Sequence, residues 1–264
     1  MEQKRNKSFQ RKDRTADERD DQLVYGIRPV MEAIQAGKEV DRIFITRGAK
    51  GELMNELKEL LKEKELTWTE VPVEKINRIT RSNHQDVICF ISPITYDSLS
   101  QRIPTIFESG STPLVLILDR ITDVRNFGAI ARTAECAGVH AIVIPTKGAA
   151  QVTSDGIKTS AGALNRVSVC RESNLKQTVT FLQESGFKVV AASEKGTANY
   201  FESDFSGPLA IILGSEEDGI SNDLIRSSDE LLKIPLLGKI GSLNVSVAAG
   251  VMLFEAVRQR TVLA

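Results

Sequence analysis

The chain has 264 residues, a formal net charge of −1 and an apolar fraction of 41%. This length allows one or two domains with cores large enough to hold without disulfides or metals. There is no run of about 18 apolar residues, so no membrane-spanning helix is indicated. A charge so close to neutral argues against a protein that holds nucleic acid through bulk charge alone.

The first 21 residues differ from the rest in charge. Residues 1–14 carry six basic and two acidic side chains, an excess of four positive charges. This composition predicts a disordered basic tail over 1–21, without the apolar centre of a signal peptide. Contact with nucleic-acid phosphates and simple solubilisation both fit such a tail.

The cysteine and histidine content predicts a reduced protein without a bound metal. The cysteines are odd in number, lie far apart and form no C-x-x-C pair, which is typical of a cytoplasmic protein. The histidines are too few to complete a metal-ligand spacing. The residues concerned are Cys89, Cys136, Cys170, His84 and His140.

Residues 22–95 read as a small α/β domain. Val30, Ala33 and Ile34 share one helical face, and Leu53 begins a second amphipathic pattern that continues to Leu61. Short strands are predicted at 42–46, 71–73 and 87–91. The prolines and the Ser/Gly cluster that follow predict a linker over 96–112.

From residue 113 to 264 the pattern becomes more regular. Uninterrupted apolar runs alternate with helical stretches, which predicts a parallel sheet covered on both faces. The runs are 114–119, 141–145, 187–193 and 209–214, with helices at 129–137 and 175–184. Ligands of such sheets bind beyond the carboxyl ends of the strands.

A first polar segment follows the strand that ends at Asp119. Its loop carries Asn126, and the next helix carries Arg132. Asn126 would either cap that helix or contact a substrate, and Arg132 would either pair with a surface carboxylate or contact a substrate. The segment lacks the glycine pattern of dinucleotide-binding and P-loop proteins.

Two more polar segments lie at predicted strand ends. In 213–220, Gly214 allows close approach of a ligand, and Glu216 belongs either to a site or to an acidic helix start. In 234–250, a strand-like run leads through a glycine-bracketed loop to Ser242 and Asn244, and then into a helix that is apolar nearly all round. Such a helix is expected to be buried on several sides, in part against a second copy of the chain.

In order and spacing, these three segments resemble motifs one, two and three of the SpoU-type RNA ribose 2′-O-methyltransferases of the SPOUT superfamily. The resemblance spans 113–264 and includes 158–163. The first domain resembles the small RNA-binding domain of the subgroup that methylates guanosine in large-subunit ribosomal RNA, through 24–26 and 83–85. Val124, Asp86 and Glu217 depart from the family pattern, which has Pro at the first position and Gly at the other two.

The resemblance implies a SPOUT α/β fold with a C-terminal trefoil knot that binds S-adenosylmethionine. Backbone groups of Gly214, Ile234 and Leu243 would hold the adenosine, with Ser215, Leu236, Ser246 and Ala248 as neighbours. The polar active-site residues would be Asn126, Arg132, Glu216, Ser242 and Asn244. The family works as homodimers, with motif one facing the partner's cofactor.

The implied reaction is attack of a ribose 2′-hydroxyl on the sulfonium methyl group, which needs no metal because the leaving group is a neutral thioether. Since a guanidinium keeps its proton in proteins, we favour Arg132 as a phosphate anchor and electrostatic stabiliser over a general base. The expected substrate is a guanosine of 23S ribosomal RNA or a ribosomal precursor. The alternatives are tRNA, a non-catalytic RNA-binding protein of the same fold, and an ordinary nucleotide-binding enzyme.

Overall fold

The computed structural model describes residues 22–150 and 152–262, and the chain divides into two compact units at Ser92 and Pro93. The predicted basic tail, 1–21, lies outside the described residues. Within the described residues, no helix is both long and apolar enough to cross a membrane.

The first unit is a four-stranded sheet, in the order β1-β4-β2-β3, with helices on both faces. Ile43 and Ile45 pack on one side against Leu57, and Phe44 packs on the other side against Ile76. The elements are β1 (Leu23–Tyr25), α1 (Ile27–Gln35), β2 (Val40–Thr46), α2 (Glu52–Glu63), β3 (Thr69–Val71), α3 (Val73–Ile79) and β4 (Val87–Ile91). The strand predicted at 71–73 ends at Val71, because Pro72 cannot donate to the ladder and precedes α3.

The second unit is a seven-stranded sheet in the order β7-β6-β5-β10-β8-β11-β9, and its strand pairs are parallel. Its strands are β5 (Leu114–Asp119), β6 (Ala141–Pro145), β7 (Ser168–Glu172), β8 (Lys188–Ala192), β9 (Ala198–Asn199), β10 (Leu209–Gly214) and β11 (Glu230–Lys233). Its helices are α4 (Leu99–Glu108), α5 (Val124–Cys136), α6 (Ser154–Thr159), α7 (Leu175–Glu184), α8 (Asn222–Ser227) and α9 (Val245–Val262).

Helices cover this sheet on both faces, which confirms the predicted parallel α/β architecture. Phe127 of α5 and Leu253 of α9 belong to one core layer. Ile103 of α4, Val179 of α7 and Leu224 of α8 belong to the other. The trefoil knot stays a prediction.

The stretch predicted as a linker, 96–112, instead contains helix α4. Leu99, Ile103 and Ile106 are buried in the second unit's core. Their helical spacing was hidden by Pro104 inside the helix and by the turn-forming residues that follow it. The connection between the units therefore falls earlier in the chain than predicted.

The three cysteines are free thiols. The pKa of Cys89 and of Cys170 is raised to about 12. Burial of the thiol is the larger cause, and the negative charge of a nearby aspartate is the second. Thiols with so high a pKa carry almost no thiolate at neutral pH and are poor nucleophiles. Cys136 is exposed on α5.

Arg260, in the last turn of α9, joins that helix to the chain before β5 and before β10. Its guanidinium donates to the carbonyl oxygens of Thr112 and Pro113, both at 3.0 Å, and to those of Phe205 at 3.1 Å and Gly207 at 2.7 Å. Burial lowers the pKa of this guanidinium. The four carbonyls compensate in part for the loss of water around the charge.

We expect Arg260→Ala to lower the free energy of unfolding by about 2–4 kcal/mol, because it leaves part-buried carbonyls without a donor. The free energy of unfolding of Arg260→Lys should lie between those of the wild type and Arg260→Ala, since an ammonium keeps the charge but lacks the planar geometry of a guanidinium. The measurement is urea unfolding followed by circular dichroism. Arg226→Ala is the control: Arg226 pairs with Asp223 at 2.8 Å on the surface, and its loss should cost less than about 1 kcal/mol. Equal stability of Arg260→Ala and this control would contradict the expectation.

Candidate active site

The loop after β5 ends in a capped helix. Asp123 is the N-cap of α5, and its Oδ1 accepts a hydrogen bond from the backbone N–H of Asn126 at 2.8 Å. The helix therefore begins at Val124, five residues before the predicted start at Ala129. Because Asp123 supplies the cap, the side chain of Asn126 is available for another partner.

That partner is the carboxylate of Glu216, which joins three segments of the second unit. Glu216 Oε1 accepts from Asn126 Nδ2 at 3.1 Å and from Asn244 Nδ2 at 2.5 Å. Asn244 Nδ2 also lies 3.0 Å from Asn126 Oδ1. The structure thus brings together one polar residue from each of the three sequence segments, and we call these three residues the Asn–Glu–Asn cluster.

Asn244 also caps helix α9. Its Oδ1 accepts from the backbone N–H of Ser246 at 2.9 Å and from Ser246 Oγ at 2.5 Å. With its oxygen committed to the helix, the amide directs its NH₂ group to Glu216. The backbone N–H of Val245 lies 3.5 Å from the same carboxylate oxygen, so the anion sits at a helix N-terminus, where the macrodipole favours it.

A pocket of about 380 Å³ lies next to this cluster, at the carboxyl ends of β8, β10 and β11. Glu216 and Ser242 line it, and so do the predicted cofactor residues Gly214, Ser215, Ile234, Leu236, Leu243 and Ala248. Ser246, also predicted as a cofactor neighbour, is not among the lining residues and instead bonds to Asn244.

Gly214 fixes the shape of this pocket. A Cβ at this position would lie 2.1 Å from the carbonyl carbon of Gly219 and 2.2 Å from the nitrogen of Ile220. The chain doubles back over Gly214 through a bridge between Ser215 and Gly219, where Gly219 N donates to Ser215 O at 3.0 Å. Only glycine permits this approach, and the loop 215–219 becomes one wall of the pocket.

Sequence reasoning missed the wall formed by Ser193, Glu194 and Lys195, which follows β8. The available signal was the end of the apolar run at 187–193, since the carboxyl ends of parallel strands border the ligand site. The strand-like run expected to start at Ile234 does not form a strand in the structure. Strand β11 ends at Lys233, so Ile234 and Leu236 reach the pocket from irregular chain.

The structure does not bring Arg132 to this cluster. Arg132 is exposed on α5, and no hydrogen bond or ion pair joins its side chain to another residue within 22–150 and 152–262. Glu135, one turn further along, pairs with Arg166 at 3.5 Å. The Arg132 guanidinium is therefore available to a molecule outside this chain.

The three departures from the family pattern have different structural consequences. Val124 is the first residue of α5, a position that suits proline but does not require it. Asp86 has φ 66°, the left-handed conformation that glycine adopts more easily. In the pocket loop the positive φ falls at Gly219, 67°, and not at Glu217, so a side chain at Glu217 is tolerated.

Metal ligands are not clustered in the part of the chain that the structure describes. No group of three or more His, Cys, Asp or Glu side chains there could hold a metal ion. The polar groups that line the pocket are carboxylates, hydroxyls, the ammonium group of Lys195 and backbone groups.

Comparison with known families identifies the chain. Residues 113–254 match the model of the SpoU rRNA methylase family, and residues 23–97 match the model for RNA 2′-O ribose methyltransferase substrate binding. The chain is thus an RNA methyltransferase with a separate substrate-binding unit. Within that class it belongs to the SpoU rRNA methylase family.

Proteins similar to this chain are named as methyltransferases of the same kind. A putative TrmH family tRNA/rRNA methyltransferase of Staphylococcus haemolyticus is 34% identical over 241 residues, which are 91% of this chain and 97% of the relative. The SpoU methyltransferase AviRb of Streptomyces viridochromogenes, solved with AdoMet, is 25% identical with a TM-score of 0.58, over 91% of this chain and 90% of AviRb. An AdoMet-bound rRNA methyltransferase of Sinorhizobium meliloti is 26% identical with a TM-score of 0.58, over 91% and 89%.

Proposed function

We propose that this protein transfers the methyl group of S-adenosylmethionine to a ribose 2′-hydroxyl of RNA. The observation that carries the proposal is the Asn–Glu–Asn cluster, which joins all three motif segments beside a pocket of nucleoside size. The AdoMet held by the relatives from Streptomyces and Sinorhizobium supports the choice of cofactor.

The pocket fits this cofactor in size and chemistry. Its volume, about 380 Å³, lies in the range of small-molecule sites. Backbone groups of Gly214, Ile234 and Leu243 would hold the adenosine, beside the apolar side chains of Leu236 and Ala248. Ser215 borders the same space, and Ser246 would act indirectly, by orienting Asn244. Bound there, S-adenosylmethionine supplies an electrophilic methyl group on a leaving group that departs as a neutral thioether.

The cluster would position the ribose. Glu216 and Ser242 both line the pocket and can accept a hydrogen bond from a hydroxyl group. Asn126 and Asn244 hold the carboxylate in one orientation, so little ordering remains when the substrate arrives. The cluster is open to solvent, which leaves it accessible to an RNA strand.

Arg132 would anchor an RNA phosphate and stabilise the developing alkoxide. Its guanidinium is exposed and has no partner in the described part of the chain, as such a role requires. Because no hydrogen bond or ion pair joins it to the Asn–Glu–Asn cluster of its own chain, we infer that it acts at the site of a second copy.

A homodimer is part of the proposal. Val247, Val251 and Phe254 form an apolar stripe along α9, and Val247 and Phe254 are 52% and 49% exposed. Monomeric proteins rarely leave such stripes uncovered on a long helix. Leu243, which lines the pocket just before α9, is a further exposed apolar residue.

The favoured substrate is a guanosine of 23S ribosomal RNA, free or in a ribosomal precursor. The extra substrate-binding unit, 23–97, supports this choice. The Sinorhizobium rRNA methyltransferase aligns with 91% of the chain, whereas a tRNA-modifying TrmH/SpoU enzyme of A. aeolicus aligns with 62%. tRNA is the second candidate, because the Staphylococcus relatives are named for both RNAs. A cytoplasmic location, where such RNA is found, completes the proposal.

The test is transfer of a labelled methyl group to ribosomal RNA and to tRNA, both from cells that lack this protein, followed by mapping of 2′-O-methyl positions. We expect one labelled guanosine in 23S RNA. Label in tRNA alone would identify tRNA as the substrate and would leave the proposed reaction unchanged. Cofactor binding without transfer to any RNA would instead favour a non-catalytic RNA-binding protein.

Arg132→Ala should lower the rate of methyl transfer at least about 100-fold, because it removes a cation from the developing charge. Arg132→Lys should keep a measurable fraction of the rate, since the charge remains. Single-turnover rates at saturating cofactor are the measurement, with Arg226→Ala as a surface-arginine control. Near-full activity of Arg132→Ala would exclude both roles.

The full chain should sediment at twice its mass of 29.0 kDa, and Phe254→Glu should shift it toward the monomer, because a buried carboxylate has no partner on the apolar stripe. Ile79→Glu, at an exposed apolar residue of the first unit, is the matched control and should leave the mass unchanged. A wild-type monomer at micromolar concentration would contradict the dimer.

A further inference from the structure

Arg120, the residue directly after β5, has an unusual backbone conformation. Its φ is 60°, in the left-handed region. Residues with a Cβ are uncommon there, because the Cβ crowds the following carbonyl oxygen. Glycine or asparagine would occupy this turn at lower cost. We therefore expect contacts of the Arg120 side chain to offset the cost of this backbone conformation.

That side chain is held at three points. Nη1 lies 3.2 Å from Asp218 Oδ2, Nη2 donates to the carbonyl oxygen of Gly219 at 3.1 Å, and Nε lies 3.3 Å from Asp119 Oδ1. The buried Asp119 in turn accepts from the backbone N–H of Ser221 at 2.7 Å. Two adjacent residues of β5 and its turn therefore hold the far end of the loop 215–219.

Asn126 and Asn244 hold the start of this loop at Glu216, so Arg120 acts on its far end, which has few other constraints. Within it, Asp218 N donates to Ser215 Oγ at 3.1 Å, and Gly219 N donates to Ser215 O. Asp218 is exposed, so its ion pair with Arg120 adds little stability by itself. The charge-assisted bond to the Gly219 carbonyl is stronger and more directional. The effect of the contacts is to fix where the loop lies.

The position of the loop matters because it lines the pocket and carries Glu216. We propose that Arg120 is a positioning residue for cofactor binding, which clamps the loop 215–219 in the conformation that forms the pocket wall. The clamp acts through the loop and does not touch the reacting atoms. The inference rests on the proposed function, because it assigns the pocket to S-adenosylmethionine.

Arg120→Gly tests the clamp, because it removes all three contacts and also relieves the left-handed strain. If the loop keeps its pocket-lining conformation about one tenth of the time without the clamp, the Kd for S-adenosylmethionine rises about tenfold. The melting temperature should change by less than about 3 °C, since strain relief offsets the lost contacts. The Kd for ribosomal RNA should stay unchanged. Arg120→Asn, which also tolerates a positive φ, should behave in the same way.

Two further measurements separate a clamp from a general structural role. Asp218→Asn should raise the cofactor Kd by a smaller factor in the wild-type background and add nothing in Arg120→Gly, because both act through one loop. Hydrogen exchange at the Asp218 and Gly219 amides should be faster in Arg120→Gly without cofactor. Arg226→Ala removes a surface arginine and its ion pair elsewhere in this unit, and it should change neither quantity.

Cofactor Kd is measured by calorimetry on the full chain. An unchanged Kd in Arg120→Gly and Arg120→Asn, with normal wild-type binding, would overturn the clamp and leave the proposed function standing. A raised Kd that only follows a large fall in melting temperature, or a weaker affinity for RNA with unchanged cofactor Kd, would also overturn it. A wild-type chain that binds no S-adenosylmethionine would contradict the proposed function, and the clamp with it.

Discussion

The hydrogen bonds to Glu216 are the interaction on which the rest of the site depends. One carboxylate oxygen accepts from Asn126 on α5 and from Asn244 before α9. Each amide is committed on its other side as well, Asn126 to Asn244 and Asn244 to Ser246. Neither amide can turn without losing a partner, so three segments distant in sequence present one rigid polar surface.

The sheet makes this convergence possible. Strands β5 and β10 are parallel neighbours in a register that pairs Gly214 with Asp119, so their last residues lie side by side. The turn after β5 can therefore reach the loop after β10, and Arg120 does so. The close approach at Gly214 then folds that loop back beside the strand ends. The pocket therefore results from the order of the strands and from the absence of a side chain at Gly214.

Much of this could be predicted from the sequence, for physical reasons. The structure has β5, β6 and β10 at the predicted residues, because strands buried on both faces are uninterrupted apolar runs. Polar residues expected at the ends of such strands border a pocket, and their role in ligand binding stays a prediction. Strand β11 was not found, because charged residues flank its two leucines, and α4 was hidden by Pro104.

Other features depend on atoms that no local pattern brings together. The left-handed φ of Arg120 is set by partners about 100 residues further along the chain. The hydrogen bond between Ser246 and Asn244 could not be predicted, because it depends on which way the Asn244 amide faces. At the start of α5, Asp123 caps the helix and Asn126 contacts Glu216. This assignment likewise could not be made without the position of Glu216.

Two arginines near the start of the second unit show how a chain of net charge −1 can handle an anionic polymer. The charge of Arg120 is balanced by Asp119 and Asp218, so little of it is available to a phosphate. Arg132 has no such partner in the described part of the chain, and its full charge faces outward. If Arg132 anchors a phosphate, as proposed, this one contact releases few counterions and adds only weakly to the salt dependence of RNA binding. Because a phosphate contact carries no sequence information, we expect recognition of the correct RNA to need other contacts, and the substrate-binding unit, 23–97, is a candidate for them.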